Sequence, residues 1–264
     1  MEFQTIRLDI ADSIATITLN RPERLNACSL DMADELSLAL DNLGPEENGA
    51  RVLVLTGEGR AFCSGADLAA RGDRPVNGGQ GSYMALTEKY NPLMMKLARL
   101  DLPVVCAVNG PAAGIGCSLA LAGDFVIAGA SGYFLQAFVN IGLVPDGGAS
   151  WMLPRLIGKA RATEMMMLGE KIGADQAFEW GLIHKAVADE ALADETKALA
   201  VRLASGPTLA YATMRRNLLT ALDSSYAEAL LAEAEGQRTA GGSEDAMEGG
   251  MAFLQKRKPV FKGR

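Results

Sequence analysis

Apolar residues recur at every second position near the start of the chain. Thr5–Asp9 and Ile14–Leu19 therefore read as a strand pair, joined by the Ala11-Asp12-Ser13 turn. The period then lengthens: Ser29 precedes a helical stretch as its cap, with Leu30, Met32, Leu36 and Leu40 assigned to the apolar face. Short apolar runs at Val52–Thr56, Pro103–Val108, Phe125–Ala128 and Tyr133–Leu135 predict further strands, and Leu86–Leu100 and Ile115–Ala122 predict helices. Between them Arg71–Gly81 is rich in Gly and Pro and predicts a mobile loop. From Trp151 onward the pattern is mostly helical: Ser150–Ile157, Arg161–Leu168, Ala174–Trp180, Asp189–Ala204, Thr208–Thr220, Ser224–Thr239 and Ser243–Leu254. Strands first and helices afterward predict an α/β core, residues 1–200, followed by a helical region, residues 201–264.

Composition narrows the functions open to such a fold. Apolar residues make up 49% of the 264 and charged residues 22%, an ordinary globular mix. No apolar run reaches membrane-spanning length, and MEFQTIRLDIADS lacks a basic-then-apolar leader, so the expectation is a cytoplasmic protein without a membrane partner. The formal charge of −7 and pI near 4.9 argue against nucleic acid as a partner. Lys256, Arg257, Lys258, Lys262 and Arg264 nevertheless gather at the C-terminus, as a solvated frayed end or as a hold on one phosphorylated small molecule. Cys28, Cys63, Cys106 and Cys117 lack metal-ligand spacing, which disfavours zinc and a disulfide framework, and Cys63 and Cys117 read as packing residues. His184, the single histidine, lies in an apolar stretch and leaves a Ser-His-Asp or Cys-His mechanism nothing to draw on.

Three segments carry candidate chemistry. In PVVCAVNGPAAGIGCSLALAGD, Pro103–Asp124, a Val-rich strand meets a glycine bend and then a helix, a geometry that aims free N–H groups at negative charge. The spacing is GxxxGxG, with no acidic residue about 20 positions on and no Lys-Ser or Lys-Thr after the glycines, so the dinucleotide and Walker patterns both fail. A structural turn and an anion site remain open. AFCSGADL, Ala61–Leu68, has small residues that let another group approach its backbone, with Asp67 as a cap for the next segment. Two such loops that converge, each giving one N–H to a carbonyl oxygen, meet the requirement for an oxyanion hole. In IGLVPDGGASWMLPR, Ile141–Arg155, Asp146 sits in a Pro-Asp-Gly sequence common in plain turns.

Taken together and in order, these segments resemble the enoyl-CoA hydratase/isomerase (crotonase) superfamily. The resemblance starts at LNRPERLNA, Leu19–Ala27, and passes through LTGEGRAFCSGADL, AVNGPAAGIGCSLALAGD and IGLVPDGGASWMLPRLIG to FLQKRKPVF, Phe253–Phe261. It implies a spiral of ββα units with a C-terminal helical region that trimerises, as a homotrimer or a dimer of trimers. It also implies an acyl-CoA thioester as substrate, with no cofactor beyond its CoA moiety. By motif position the oxyanion donors are the N–H groups of Ala66 and Ile115. Arg24, Leu25 and Ala27, with Ser64, Asp67 and Leu68, look like adenine and pantetheine contacts. Phe253 and Lys256 match positions that reach the CoA of a neighbouring subunit.

The resemblance also locates a departure. Hydratases of this family place two glutamates at the double bond; this chain has Ser118 at the first position and Phe138 aligned with the second. Neither can transfer a proton to carbon as a carboxylate does. Asp146 is then the remaining acid, and GLVPDGG together with YNPLMMKLARLDLPVVCAVNG, Tyr90–Gly110, is similar to the ring-epoxide and enoyl-CoA isomerases of phenylacetate breakdown. The resulting expectation is a double-bond shift through a dienolate, with Asp146 as single acid and base and Phe138, Leu143 and Trp151 keeping its pocket apolar. Residues Arg71–Tyr83 are expected to shape the acyl pocket. The rivals are a hydratase with a water at Asp146, a dehalogenase-like reaction with Asp146 as nucleophile, and a non-catalytic acyl-CoA-binding protein.

Overall fold

The structure, a computed structural model, describes residues 3–67 and 78–264. Strands β1 (Ile6–Ala11) and β2 (Ile14–Leu19) form the expected hairpin, with Ile6 opposite Leu19 and Ala11 opposite Ile14. Helix α1 (Leu30–Asp41) begins at Ser29, whose Oγ accepts the Met32 N–H at 3.1 Å. Its buried stripe is Met32, Ala33, Leu36, Ala39 and Leu40. Leu30 was expected on this stripe and is exposed instead. Two residues ahead of Met32, it stands about 200° round the helix and faces away.

Strand β3 (Val52–Gly57) returns to the sheet. After the undescribed segment come α2 (Gly78–Ala85), a π-helical turn (Leu86–Tyr90) and α3 (Asn91–Arg99). The loop expected over Arg71–Gly81 therefore ends early. Its first part lies outside the described residues, and from Gly78 the backbone is helical, continuous with the helix that buries Tyr90, Leu93 and Leu97. That continuity overrides the weak helix propensity of the glycines.

Next come β4 (Val104–Val108), β5 (Pro111–Ala113), α4 (Ile115–Leu121), β6 (Phe125–Gly129) and β7 (Tyr133–Leu135). The remainder is α5 (Ala149–Leu168), β8 (Ile172–Gly173), α6 (Ala174–Glu179), β9 (Lys185–Val187), α7 (Leu192–Ala204), α8 (Thr208–Ala221), α9 (Tyr226–Gly241) and α10 (Glu244–Leu254). Gly158, at φ 74° and ψ 162°, breaks α5 between the two helices read from the sequence. The second half is mostly helical, as expected, and strands β8 and β9 are additions that the sequence pattern did not show. Each is only two or three residues long, with no period of its own, and is defined by the neighbour it pairs with.

The main sheet runs β1-β2-β3-β4-β6-β9, parallel except for the β1–β2 pair, and β5-β7-β8 form a small second sheet. Alternation in β3 and β4 feeds two cores, as expected of parallel strands covered on both faces. Leu53, Leu55, Val104, Cys106 and Val108 join the main cluster with α1, α3 and α4. Val52, Val54, Val105 and Ala107 pack under Leu192, Ala200 and Leu203 of α7. Residue 200, where the sequence division was drawn, thus lies within a helix that covers the sheet.

The C-terminal helices are tied back to this core. Arg215 of α8 donates from Nε to both oxygens of Asp124 at 2.9 and 2.7 Å, and Asp124 Oδ2 also accepts the Val104 N–H at 2.7 Å. The basic tail is not frayed. Buried Asp245 accepts the N–H groups of Lys262 at 2.6 Å and Gly263 at 2.8 Å, while Arg51 reaches the Phe261 carbonyl at 3.1 Å. Glu248 pairs with Arg257, and that bond holds its carboxyl down at about 2. Met214, Leu218, Leu231, Met251 and Phe253 remain exposed on α8, α9 and α10.

Replacing Asp245 by Ala removes the acceptor for two tail N–H groups. The variant should lose about 1–3 kcal/mol of stability, measured by denaturant titration, and its last residues should be trimmed faster by carboxypeptidase. An unchanged midpoint together with unchanged trimming would show that the tail is held by other contacts.

Candidate active site

Two backbone segments, 63–66 and 111–116, meet because each places glycine where a side chain would not fit. The Cys63 N–H bonds the Pro111 carbonyl at 3.0 Å, and the Ala113 N–H bonds the Cys63 carbonyl at 2.9 Å. Gly65 has φ +110° and Gly114 φ +53°, and a Cβ on Gly114 would lie 3.6 Å from the Gly65 Cα. Gly116 sits so close to the first segment that a Cβ there would be 2.6 Å from Cys63 Cβ and 2.7 Å from its Sγ.

This contact sets the direction of the two amides next to the glycines. On one side, Cys28 pairs with the residues flanking Ala66: its N–H bonds Gly65 O at 2.7 Å, and its carbonyl accepts the Asp67 N–H at 3.0 Å. In such a parallel bridge the N–H of Ala66 faces the opposite way. On the other, Ile115 is the first residue of α4, where no preceding turn supplies an acceptor. Neither amide makes a hydrogen bond among the described residues. Both adjoin the Gly65–Gly114 contact, and the Phe138 ring covers its far side, with Cζ 3.5 Å from where a Gly114 Cβ would be.

Asp146 is held against the same helix. Its carbonyl accepts the Ser118 hydroxyl at 2.9 Å and the Ala149 N–H at 3.2 Å. Gly147 and Gly148 come next with φ +60° and +85°, backbone that the double glycine makes accessible. The Asp146 Oδ1 is buried without a hydrogen-bond partner among the described residues. Burial lifts its carboxyl from the ordinary 3.8 to about 6. The nearby start of α5 acts in the other direction, but a helix N-terminus contributes about 0.3–1 kcal/mol, less than one pKa unit. Burial wins.

Ala66, Ile115, Ser118, Phe138 and Asp146 thus come together, and Trp151 and Leu143 only border them. Leu143, expected to dry the pocket, is 49% exposed. The Trp151 ring lies under the Arg155 guanidinium, 4.2 Å from its centroid. The proposed pantetheine loop is stitched to the first segment by Ser64 N–H to Leu25 O at 3.0 Å and Ser64 Oγ to Arg24 O at 3.3 Å. Leu25 and Asn26 are left-handed, at φ 52° and 54°. Leu68 lies outside the described residues. Phe253 and Lys256 are exposed and share no hydrogen bond or ion pair with this group among the described residues.

Sequence reasoning missed Arg21. Its Nη2 meets the Asp67 carboxylate at 2.7 Å, and its Nη1 donates to Ala27 O at 2.6 Å, so Asp67 anchors the loop that carries Ala66. Tyr90 was also missed; its hydroxyl donates to Cys28 O at 2.8 Å. Both lie within the motif segments, but nothing in the sequence pairs them with their partners. The cysteines are buried packing residues, the Cys63 thiol pushed up to about 11 and Cys117 to about 12 by burial. Among the described residues no His, Cys, Asp and Glu cluster is placed to hold a metal, and no helix is long and apolar enough to cross a membrane.

Comparison with known proteins matches this architecture. A family model described as enoyl-CoA hydratase/isomerase aligns with residues 9–264. The chain is 44% identical over 264 residues to the 1,2-epoxyphenylacetyl-CoA isomerase of Escherichia coli K12, covering 100% of both chains. It is 46% identical over 264 residues to a probable enoyl-CoA hydratase of Rhodobacter capsulatus, again covering 100% of both. A crystal structure of a putative enoyl-CoA hydratase/isomerase from Mycobacterium abscessus superposes with a TM-score of 0.90 at 38% identity, covering 98% of this chain and 100% of the other.

The raised Asp146 pKa has a stability consequence of definite sign. Below about 3.8 the carboxyl is neutral in both folded and unfolded chains; above about 6 it is charged in both, and only the folded chain bears the desolvation. Asp146→Asn should therefore be more heat-stable than the parent at pH 7.5, by on the order of 3 kcal/mol, and should match it at pH 3.5. Melting curves across this range decide the point; an equal Tm at pH 7.5 would mean the carboxylate is well solvated.

Proposed function

The chain belongs to the enoyl-CoA hydratase/isomerase family, and from that premise we propose that it is an isomerase, moving a double bond in an acyl-CoA with Asp146 as single acid and base. One observation carries the choice. Among the described residues that adjoin the Ala66 and Ile115 amides, two carry carboxylates, and Asp67 is held by Arg21 while Asp146 keeps a buried oxygen without a hydrogen-bond partner among the described residues. Hydration needs one group to activate water and another proton delivered at carbon, and Ser118 and Phe138 supply neither.

In the proposed reaction the thioester oxygen lies between the N–H groups of Ala66 and Ile115. Asp146 takes a proton from carbon; the C–H electron pair enters the conjugated system and negative charge collects on the thioester oxygen. The two amides oppose that charge, each contributing about 3 kcal/mol to the transition state. Asp146 then returns the proton two carbons away, and the charge leaves the oxygen. The acyl-CoA is unchanged in formula. A carboxyl near 6 suits this work, being ionised at neutral pH yet a better base than a solvated aspartate. The relative named as an epoxyphenylacetyl-CoA isomerase supports a ring-type acyl group as one candidate substrate.

We also propose that the exposed apolar faces of α8, α9 and α10 pack in a homotrimer or a dimer of trimers, with Phe253 and Lys256 serving the CoA site of a neighbouring copy. Light scattering should give three or six times the 27.8 kDa chain mass; a monomer at micromolar concentration would dismiss this assembly.

A panel of 2- and 3-enoyl-CoAs with a ring-type acyl-CoA, monitored by NMR in deuterium oxide, tests the activity. The expected result is conversion of 3-enoyl to 2-enoyl substrate without a hydroxylated product. Asp146→Asn should lower kcat about 10²–10⁴-fold. The parent kcat/KM should rise with pH through about 6, because the base works only when ionised. Steady hydration without isomerisation would assign a hydratase instead, and acyl-CoA binding without proton exchange a non-catalytic protein.

A further inference from the structure

The hydroxyl of Ser118 bonds the backbone of the residue that carries the proposed base. Ser118 lies one turn after Ile115 on α4, is fully buried, and donates to the Asp146 carbonyl at 2.9 Å. Immediately beyond, Gly147 lies flat on the same helix: a Cβ there would be 2.5 Å from Ile115 Cδ1 and 2.7 Å from Ser118 Cβ. The helix that presents one free amide is thus joined directly to the loop that presents the carboxylate.

This contact acts in two ways. The first is geometric. The Asp146 carbonyl has two donors, the Ala149 N–H of its own helix start and the Ser118 hydroxyl, and only the second ties it to α4. Loss of that bond frees the loop to shift relative to the Ile115 amide, and a displacement of about 1 Å can cost about a hundredfold in rate. The second is steric. The space above residue 118 is filled by Gly147, so a longer side chain there must displace the loop.

We propose that Ser118 is a positioning residue for Asp146, and that its contact with Gly147 keeps a second carboxylate out of this face of the site. The inference rests on the reading of Asp146 as the proton-transfer group. The one-carboxylate chemistry is then enforced by packing, and the chain is not one substitution away from the two-carboxylate arrangement.

The test uses the full-length protein and a 3-enoyl-CoA substrate. Ser118→Ala removes the donor and should lower kcat about tenfold to a hundredfold, with KM and the Kd of a saturated acyl-CoA within about twofold because the amide donors remain. A rise in KM at unchanged kcat, or no change in either, would overturn the positioning role. Should that variant fail to fold, Ser118→Cys keeps the size of the side chain while weakening the donor and should show the same selective loss of kcat. Ser118→Glu should lose isomerisation without gaining hydration; gain of hydration with isomerisation retained would overturn the exclusion. Asp146→Asn separates the two levels. If it is inactive while Ser118→Ala is unaffected, the base stands and the positioning fails; if it is active, the base assignment fails and this inference with it.

Discussion

The site depends on a close approach of two stretches of bare backbone. Segments 63–66 and 111–116 are held together by two hydrogen bonds, by Gly114 facing Gly65 and by Gly116 packed against Cys63. Buried amides normally find partners. Among the described residues the amides of Ala66 and Ile115 make no hydrogen bond, and the bonds that fix their neighbours leave both beside the Gly65–Gly114 contact. The sheet, the Arg21–Asp67 pair and the Tyr90–Cys28 bond all serve to hold that meeting in place.

The carboxylate is placed by a balance of opposing effects. Its position before α5 favours the charged form, and its burial disfavours it more strongly. The result is an acid lifted to about 6 by burial, with no charged group among the described residues tuning it. Stability is given up to keep it there, a common pattern in groups that must exchange protons.

Much of the fold was legible in the sequence. Ser29 and its apolar stripe announced α1, and the Val-rich runs announced β3 and β4, because those elements are set by their own residues. Strands β8 and β9 were not legible, being too short to carry a period and defined only by their partners. Leu30 shows the limit of a pattern read one residue at a time: the helix was correct and the face was not. At the site, the family resemblance in motif order pointed to Ala66, Ile115 and Asp146. The bond from Ser118 to the Asp146 carbonyl joins positions 28 apart in sequence and belongs to tertiary structure alone.

The two free amides have a consequence for how such a protein can change over generations. A donor made of backbone cannot be deleted by exchanging the amino acid that carries it; it is lost only if the chain path moves. On the proposed reaction, substitutions around Ala66 and Ile115 therefore alter what surrounds the charge while leaving the means of opposing it intact. Under the proposed function, positions such as 118, 138 and 146 are then left to set, through their side chains, which proton moves. One electrostatic cradle can in this way serve a lineage of different reactions, each reached by rebuilding the side chains around a frame that already works.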